Sequence, residues 1–367
     1  MKNILFVSAY LAQNGTEMFM MNVLRHSNPD EYHFDFLINS DSQTPNRKEA
    51  ESKGCKVFVI PFRKEGIIRS FRACWAFYKE HAKDYDAIHW CGGNLSSIDS
   101  LLIAKLFKIP IIIVHAHSSS AVGIHNIILH YINRLFIKRI GTHFLACSTQ
   151  ASSFFFKQVP VVVINNGIDI ELFDFKPDIR RKMRMDFSLS TASFAIGHVG
   201  RFDDNKNQSF LIDAFAEVLK EKDNAQLFLI GDGVTLKQVK AYAIKKGIEE
   251  KIHFLGMRRN VNEIMQALDC FVMPSKFEGL PFVLVEAQCS GLPCVISDTI
   301  NHDVDITGNV TFLSLNKQST EWSNVILKTI NSFNRKPMGW KIKEQGFSIK
   351  DTVAYLEKIY SQKSYIL

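Results

Sequence analysis

The 367-residue chain has 46% hydrophobic and 22% charged residues, a composition typical of a soluble globular protein long enough for two domains. Its seven cysteines are scattered and never spaced Cys-x-x-Cys, which is against a disulfide framework or a zinc site and predicts a cytoplasmic location. No apolar run approaches the roughly 18 residues that a membrane-spanning helix requires.

The formal net charge of +7 comes from the first half of the chain. Residues 1–185 hold 23 Lys and Arg against 16 Asp and Glu, whereas residues 186–367 hold 21 of each. This asymmetry indicates either a partner with negative charge, such as a membrane surface or a lipid phosphate, or basic residues scattered over a solvated surface. Both interpretations stay open, and nucleic acid is not expected as a partner.

Short β-rich apolar runs alternate with helical patterns through the first half. Strands are predicted at 4–8, 34–38, 56–60, 87–90, 111–115, 144–147 and 161–164, with helices at 17–26, 67–83, 96–107 and 124–139. Strands that are apolar on both faces and separated by helices predict a parallel sheet covered on both sides.

A turn signal at Asn165-Asn166-Gly167 and a charged stretch through 176–184 then interrupt the pattern, and we predict a linker there. Strands resume at 194–199, 226–230, 252–255, 270–273, 294–296 and 310–313, with helices at 207–220, 234–246, 261–268, 281–290 and 320–333. The fold class is therefore α/β, with two doubly wound parallel-sheet domains that place strand ends on a shared crevice.

The strongest local signal is residues 274–287, PSKFEGLPFVLVEA, where a buried strand runs through a glycine loop into a helix. Pro281 suits the first helical position because it has no N–H to leave unpaired. The free backbone amides expected there favour an anion, and they belong to Gly279, Leu280, Phe282 and Val283. Glu278 and Glu286 flank this loop, and a carboxylate can accept hydrogen bonds from two sugar hydroxyls.

A second signal, GHVGRFDDNK at 197–206, follows the first strand of the second domain. Arg201 and Lys206 could balance the two charges of a diphosphate, or they could be surface charges near a helix start. Neither a P-loop nor a Gly-x-Gly-x-x-Gly fingerprint is present, which is against nucleotide hydrolysis and hydride transfer. A further glycine turn, Gly231-Asp232-Gly233, lies at the same predicted sheet edge.

In the first half, Asn14-Gly15-Thr16-Glu17 joins a strand to a helix and offers another anion-binding backbone. His115 and His117 close the fifth strand on one face, so at least one should point into the crevice unless both are structural. Two Asp-x-Asp pairs, at 84–86 and 303–305, lie outside these loops, and no metal is predicted. The basic and aromatic segments 63–72 and 127–139 suit either an anionic membrane or ordinary helix packing.

From residue 197 to 297, with Glu278 and Glu286 at Glu-x₇-Glu spacing, the chain resembles glycosyltransferase family 4, which consists of retaining, metal-independent enzymes with the GT-B fold. Its likeness is to the branch that builds bacterial capsule, exopolysaccharide and O-antigen, and it extends to 14–22, 115–118 and 165–169. The resemblance implies an acceptor-side domain at 1–175 joined by a returning C-terminal helix (348–367), and a donor-binding domain at 176–347.

The resemblance also implies residue roles. Arg201 and Lys206 would hold the donor diphosphate, Glu286 the ribose, and Glu278 and His117 the donor sugar. Further donor contacts are implied for Gly15, Gly200, Gly231, Met257, Gly279, Leu280, Phe282 and Val283. Asn14 departs from the family's usual glycine pair.

The predicted function is hexosyl transfer from a nucleoside diphosphate sugar, with UDP favoured, to a glycan or lipid-linked acceptor, with no cofactor. A peripheral position on the inner face of the cytoplasmic membrane is also expected. The alternatives are a GT-B-like sugar-nucleotide epimerase and a non-catalytic binding partner.

Overall fold

The computed structural model describes residues 1–12, 15–278, 280–332 and 334–362. Its strands are β1 (Lys2–Val7), β2 (Tyr32–Ile38), β3 (Val57–Val59), β4 (Ala87–Gly92), β5 (Ile111–Ala116), β6 (His143–Ala146), β7 (Val162–Val163), β8 (Phe194–Val199), β9 (Ala225–Ile230), β10 (Ile252–Gly256), β11 (Cys270–Met273), β12 (Cys294–Ser297) and β13 (Val310–Leu313). Each predicted strand overlaps one of these.

The α-helices are α1 (Gly15–His26), α2 (Pro45–Ser52), α3 (Ile67–His81), α4 (Asp99–Leu106), α5 (Ile124–Phe136), α6 (Thr149–Phe155), α7 (Ile170–Phe173), α8 (Pro177–Asp186), α9 (Gln208–Glu221), α10 (Leu236–Lys246), α11 (Val261–Ala267), α12 (Phe282–Cys289), α13 (Ser319–Ser332), α14 (Gly339–Glu344) and α15 (Ile349–Tyr360). In the described part of the chain, no helix combines the length and the apolar composition that a membrane crossing requires.

The first compact unit runs to Gly167 and includes the segment from Ser348. Its seven parallel strands have the order β3-β2-β1-β4-β5-β6-β7. One apolar core packs the sheet against α3, α4 and α6, and a second core packs the opposite face against α1, α2 and α15. The sheet is therefore covered by helices on both faces, as its apolar strands predict.

Helix α15 belongs to this first unit although it is the last helix of the described chain. It buries Ile349, Val353, Leu356 and Tyr360 at helical spacing in the core beside α1. This confirms the predicted return of the C-terminal helix to the first domain.

The second unit covers residues 168–347, and its six parallel strands have the order β10-β9-β8-β11-β12-β13. The division falls at Gly167, eight residues before the position expected from sequence. The physical reason is that Ile168 and Phe173 are buried in the core of the second unit. The turn at 165–167 rather than the charged stretch after it marks the end of the first unit.

The prediction of a linker at 176–184 was wrong, because this charged stretch forms α8. Arg180 and Arg184 both form ion pairs with Asp269, which lies just before β11. Arg180 also donates to the carbonyls of residues 266–268, at and beyond the C-terminal end of α11. The basic residues thus satisfy carbonyl groups that a helix end leaves without partners, and their role is structural.

Candidate functional site

The loops that follow β8 and β9 pack backbone against backbone at the carboxyl end of the second sheet. The Gly200 amide donates to the Ile230 carbonyl at 2.9 Å, and the Phe202 amide donates to the Asp232 carbonyl at 2.9 Å. Gly231 has a φ of +136°, and a Cβ atom there would lie 2.0 Å from the Gly200 carbonyl oxygen. Only glycine permits this approach, so Gly231 shapes the loop that carries Arg201 and Lys206.

Lys206 is brought to Glu278 by a set of loop hydrogen bonds. The Asp203 carboxylate accepts the amides of Asn205 and Lys206 at 3.1 Å each, which closes a turn after β8. Asn205 in turn donates from its side chain to the Phe277 carbonyl at 2.8 Å, which ties this turn to the loop after β11.

The Lys206 ammonium then lies 2.6 Å from the Glu278 carboxylate, and the two side chains are 16% and 13% exposed. The sequence suggested separate ligand contacts for this lysine and this glutamate, whereas the structure pairs them. Because an ammonium group has three donors, Lys206 can hold Glu278 and a second acceptor at once.

Arg201 shares this loop, but its side chain is exposed. Its carbonyl accepts a hydrogen bond from the Gln208 side chain at 2.8 Å, which holds the backbone. No ion pair joins its guanidinium group to the described part of the chain. The Arg201 guanidinium group is thus available for a ligand. It belongs to the same loop as Lys206, which pairs with Glu278.

Helix α12 begins one residue later than the sequence suggested. Pro281 is the N-cap, with extended backbone, and Phe282 is the first helical residue. The Leu284 amide donates to the Pro281 carbonyl at 3.0 Å, while the amides of Phe282 and Val283 donate to no described residue. These two amides can still bind an anion at the positive end of the helix.

The remaining residues of this predicted group are placed differently. The side chain of Leu280 packs against the core of the second unit. Gly279 lies outside the described residues, as does Asn14.

Glu286 lies one turn into α12 and is partly buried. Desolvation raises the pKa of its carboxyl group to about 7, and no charged or hydrogen-bonding partner in the described structure opposes that shift. A perturbed, unpartnered carboxylate is characteristic of a ligand-binding site.

Met257 follows β10 and is 58% exposed. The carbonyl of the preceding residue, Gly256, accepts the Gly231 amide at 2.9 Å, so Met257 lies at the same sheet edge as the glycine loops.

His198 and Gln208 form a buried support that the sequence analysis left without a role. The His198 Nδ1 donates to the Val272 carbonyl at 2.9 Å, and burial lowers the pKa of the ring to about 4. The Gln208 amide nitrogen lies 3.4 Å from the His198 Nε2 while it also holds the Arg201 carbonyl. The sequence does contain one signal for this pair: a histidine lies at a glycine-rich strand end, three residues before an arginine.

In the first unit, the predicted histidines lie in a buried aromatic cluster at the ends of β4 and β5. His115 and His117 have ring centroids 4.1 Å apart, which confirms that they share a face. Both ring nitrogens of His117 are closed to solvent and have no partner among the described residues, and burial lowers the pKa of this ring to about 3. His117 is therefore neutral at physiological pH, and the residue as a whole is partly exposed.

His89 and Tyr360 complete this cluster and were not found from sequence. The His89 Nε2 lies 3.0 Å from the His115 Nδ1, and its Nδ1 lies 2.7 Å from the Tyr360 hydroxyl. Burial lowers the pKa values of His89 and His115 well below the ordinary value. Among the described residues, His89, Cys91 and His115 are the trio whose atoms lie close enough to share a metal ion, within 4.8 Å.

Gly15 is the first residue of α1, and the next two residues, Thr16 and Glu17, line a cavity of about 710 Å³ within the first unit. Aromatic walls come from Tyr10, Phe62 and Trp90, and polar groups come from loops after β1, β2 and β4. Aromatic surfaces among hydroxyl and amide groups suit a polar organic ligand of moderate size.

The comparisons with known proteins agree with this geometry. Residues 193–332 match the family model described as glycosyl transferases group 1. EpsF of Bacillus subtilis, which is named as a glycosyltransferase, is 30% identical over 98% of this chain and 96% of its own length. The UDP-Gal:alpha-D-GlcNAc-diphosphoundecaprenol alpha-1,3-galactosyltransferase of Escherichia coli is 25% identical over 66% of each chain.

A similar fold occurs in a solved structure, that of HepE of Anabaena in complex with UDP and glucose. The TM-score is 0.73 at 20% identity, over 99% of this chain and 100% of that chain. The likeness confirms the predicted GT-B fold with two Rossmann-like domains.

Proposed function

Because the chain belongs to the group 1 glycosyltransferases, we propose that it is a retaining hexosyltransferase of family 4. Its donor is a UDP-sugar, and its acceptor is a lipid-linked glycan in bacterial surface polysaccharide synthesis. The name of the E. coli relative, with its UDP-galactose donor and diphosphoundecaprenol acceptor, supports both choices, and the UDP bound to HepE supports the donor.

The observation that carries this proposal is the group of charges around the start of α12. The Lys206 ammonium bonds only Glu278 among the described residues, which leaves two of its donors for a ligand, and Arg201 in the same loop is exposed. The amides of Phe282 and Val283, which donate to no described residue, lie at the positive end of the helix. Two cations, one of them shared with Glu278, and a helix N-terminus on one loop cluster suit a diphosphate.

The other donor contacts follow from this position. We assign the ribose hydroxyls to Glu286, whose carboxylate has no other partner among the described residues. Glu278 accepts a hydroxyl of the donor sugar while Lys206 keeps its orientation. We also assign donor contacts to Gly200, Gly231, Met257, Gly279 and Leu280. Gly15 and His117 belong to the other unit, and their donor contacts stay predictions.

In the proposed reaction, an acceptor hydroxyl attacks the anomeric carbon on the face from which the diphosphate departs. The bond between the anomeric carbon and the diphosphate oxygen breaks, and the hydroxyl proton passes to the departing diphosphate. Arg201, Lys206 and the α12 amides stabilise the charge that develops on that diphosphate, so the step needs no metal ion.

The test combines donor binding with product stereochemistry. We expect UDP-sugars to raise the melting temperature of the protein, because a ligand that binds only the native state stabilises it. Transfer should persist in EDTA and give a product with the donor's anomeric configuration by NMR. A product of inverted configuration would contradict the retaining mechanism, and isomerisation of the donor alone would favour an epimerase.

A further inference from the structure

Helix α5 is amphipathic, but its apolar stripe faces solvent. The stripe recurs at helical spacing and is between 38% and 78% exposed, and it consists of Ile124, Ile127, Ile128, Tyr131, Ile132 and Leu135. An ordinary surface helix turns such a stripe toward the core. The orientation of α5 is therefore the reverse of the usual one.

Hydrogen bonds on the polar side of α5 explain this orientation. The His130 Nδ1 accepts the Leu95 amide at 3.0 Å, and its Nε2 donates to the Phe154 carbonyl at 3.1 Å. Asn133 donates to the Leu95 carbonyl at 2.6 Å. These buried groups would lose their partners if the helix rotated, so the apolar stripe is held outward.

Exposed apolar side chains also lie on α3 and α4, and the ring centroids of Trp75 in α3 and Phe107, directly after α4, are 5.3 Å apart. They are between 40% and 70% exposed and comprise Ile67, Ile68, Phe71, Trp75, Leu102 and Leu106. We call the outward side chains of α3, α4 and α5 the apolar face. In the described helices on the opposite side of this sheet, α1, α2 and α15, Tyr355 is the one comparable residue.

The charge around α5 is positive. No acidic residue lies between Asp99, the first residue of α4, and Asp169, and this stretch contains the rest of α4, the whole of α5 and six basic residues. Lys138 and Arg139, directly after α5, are exposed. An apolar helix face flanked by basic residues without acidic ones complements a surface that has a hydrocarbon interior and anionic headgroups.

We propose that the apolar face docks onto an anionic phospholipid bilayer, with α5 lying in the headgroup region. The inference rests on the proposed function, since a lipid-linked acceptor would be held in the same bilayer. His125 and Leu129 of α5 and Ile67 of α3 also line the cavity of the first unit. The docked face thus borders the cavity, which is suited to the acceptor's glycan.

Co-sedimentation with vesicles tests the docking without requiring catalysis. We expect the full chain to pellet with vesicles of phosphatidylcholine and phosphatidylglycerol, much less with phosphatidylcholine alone, and less at high salt. Ile128→Glu with Ile132→Glu should lower the partition coefficient by at least about tenfold. Ile244→Glu, at a residue of the second unit that is 62% exposed, is the matched control and should sediment like the wild type.

Equal sedimentation of the double variant and the wild type would overturn the proposal. So would a wild type that ignores vesicles and forms a dimer that the double variant disperses, because a second copy would then cover the face. UDP-sugar binding is measured on the same preparations. A wild type that does not bind a UDP-sugar would contradict the proposed function but not the docking surface. Loss of vesicle binding with retained UDP-sugar binding in the double variant would support the docking surface.

Discussion

The two units have similar parallel sheets, but the side chains at the carboxyl ends of their strands differ: they are charged in the second unit and neutral in the first. After β8 and β11, the second unit places an ion pair, Lys206–Glu278, near solvent. Within β4 and at the end of β5, the first unit buries His89, His115 and the ring nitrogens of His117, and burial lowers the pKa of each ring. Sheet topology therefore sets where a site can form, whereas the side chains at the strand ends decide whether it can bind an anion.

Removing the lysine of the charged edge should have the largest effect. Lys206→Met deletes a cation that we assign to the diphosphate and leaves Glu278, only 13% exposed, without its partner. We expect kcat/KM for transfer to fall roughly 10²–10³-fold, as for the loss of one group that stabilises developing charge. Steady-state kinetics with a UDP-sugar measures this.

Two further variants separate the charge from the fold. Lys237→Ala removes an exposed lysine of α10 in the same unit and should leave kcat/KM unchanged. Combining Lys206→Met with Glu278→Gln removes the unpaired carboxylate and should restore the free energy of unfolding but not the transfer rate. Recovery of transfer in the combined variant would show that the pair has only a structural role.

The charged edge also depends on the glycine at its centre. Gly231→Ala would place a Cβ atom 2.0 Å from the Gly200 carbonyl oxygen at a φ of +136°. We expect it to lower the free energy of unfolding by about 3 kcal/mol in denaturant titrations, because backbone must move to relieve the contact. Gly247→Ala, at a φ of +69° with open space around it, is the control and should cost only about 1 kcal/mol. Equal losses of unfolding free energy in the two variants would mean that the loops after β8 and β9 rearrange at little cost to relieve the contact.

The strands could be predicted from sequence because buried parallel strands are short, continuous apolar runs between helices. The α8 helix was missed, because its apolar side rests mainly on Ile179 and Met183 in an otherwise charged segment. Arg180 of this segment binds backbone carbonyls at a distant helix end. Sequence-local patterns contain no information about such long-range partners.

The candidate site, too, could be predicted only in part from the sequence. Glycine loops and strand ends indicated where Arg201, Lys206, Glu278 and Glu286 lie. The pairing of Lys206 with Glu278 spans 72 residues, and that of His89 with Tyr360 spans 271, so both needed the folded chain. The outward stripe of α5 also followed from hydrogen bonds to other elements, since its sequence alone fits a buried face equally well.

A carboxyl group in the charged unit should make donor binding depend on pH. Since desolvation raises the pKa of Glu286 to about 7, the carboxylate that we assign to the ribose hydroxyls forms mainly above that pH. We expect a UDP-sugar to bind about tenfold more weakly at pH 6 than at pH 8. Glu286→Gln should bind weakly with a flat profile, and calorimetry measures both. If the Glu286→Gln profile keeps the slope of the wild type, another group causes it.

In the neutral edge of the first unit, a histidine should govern stability rather than binding. The unfolded chain protonates His117 below about pH 6.5, whereas the folded chain does so only near pH 3. Unfolding therefore takes up a proton between these values, and the free energy of unfolding falls as the pH falls through that window.

His117→Phe should remove about 1 kcal/mol of the loss between pH 6 and pH 5 in denaturant titrations. His125→Gln, at an exposed residue of α5, should leave the slope unchanged. An unaltered slope in His117→Phe would mean that this ring is solvated, and the contrast between a charged and a neutral sheet edge would then fail at its clearest residue.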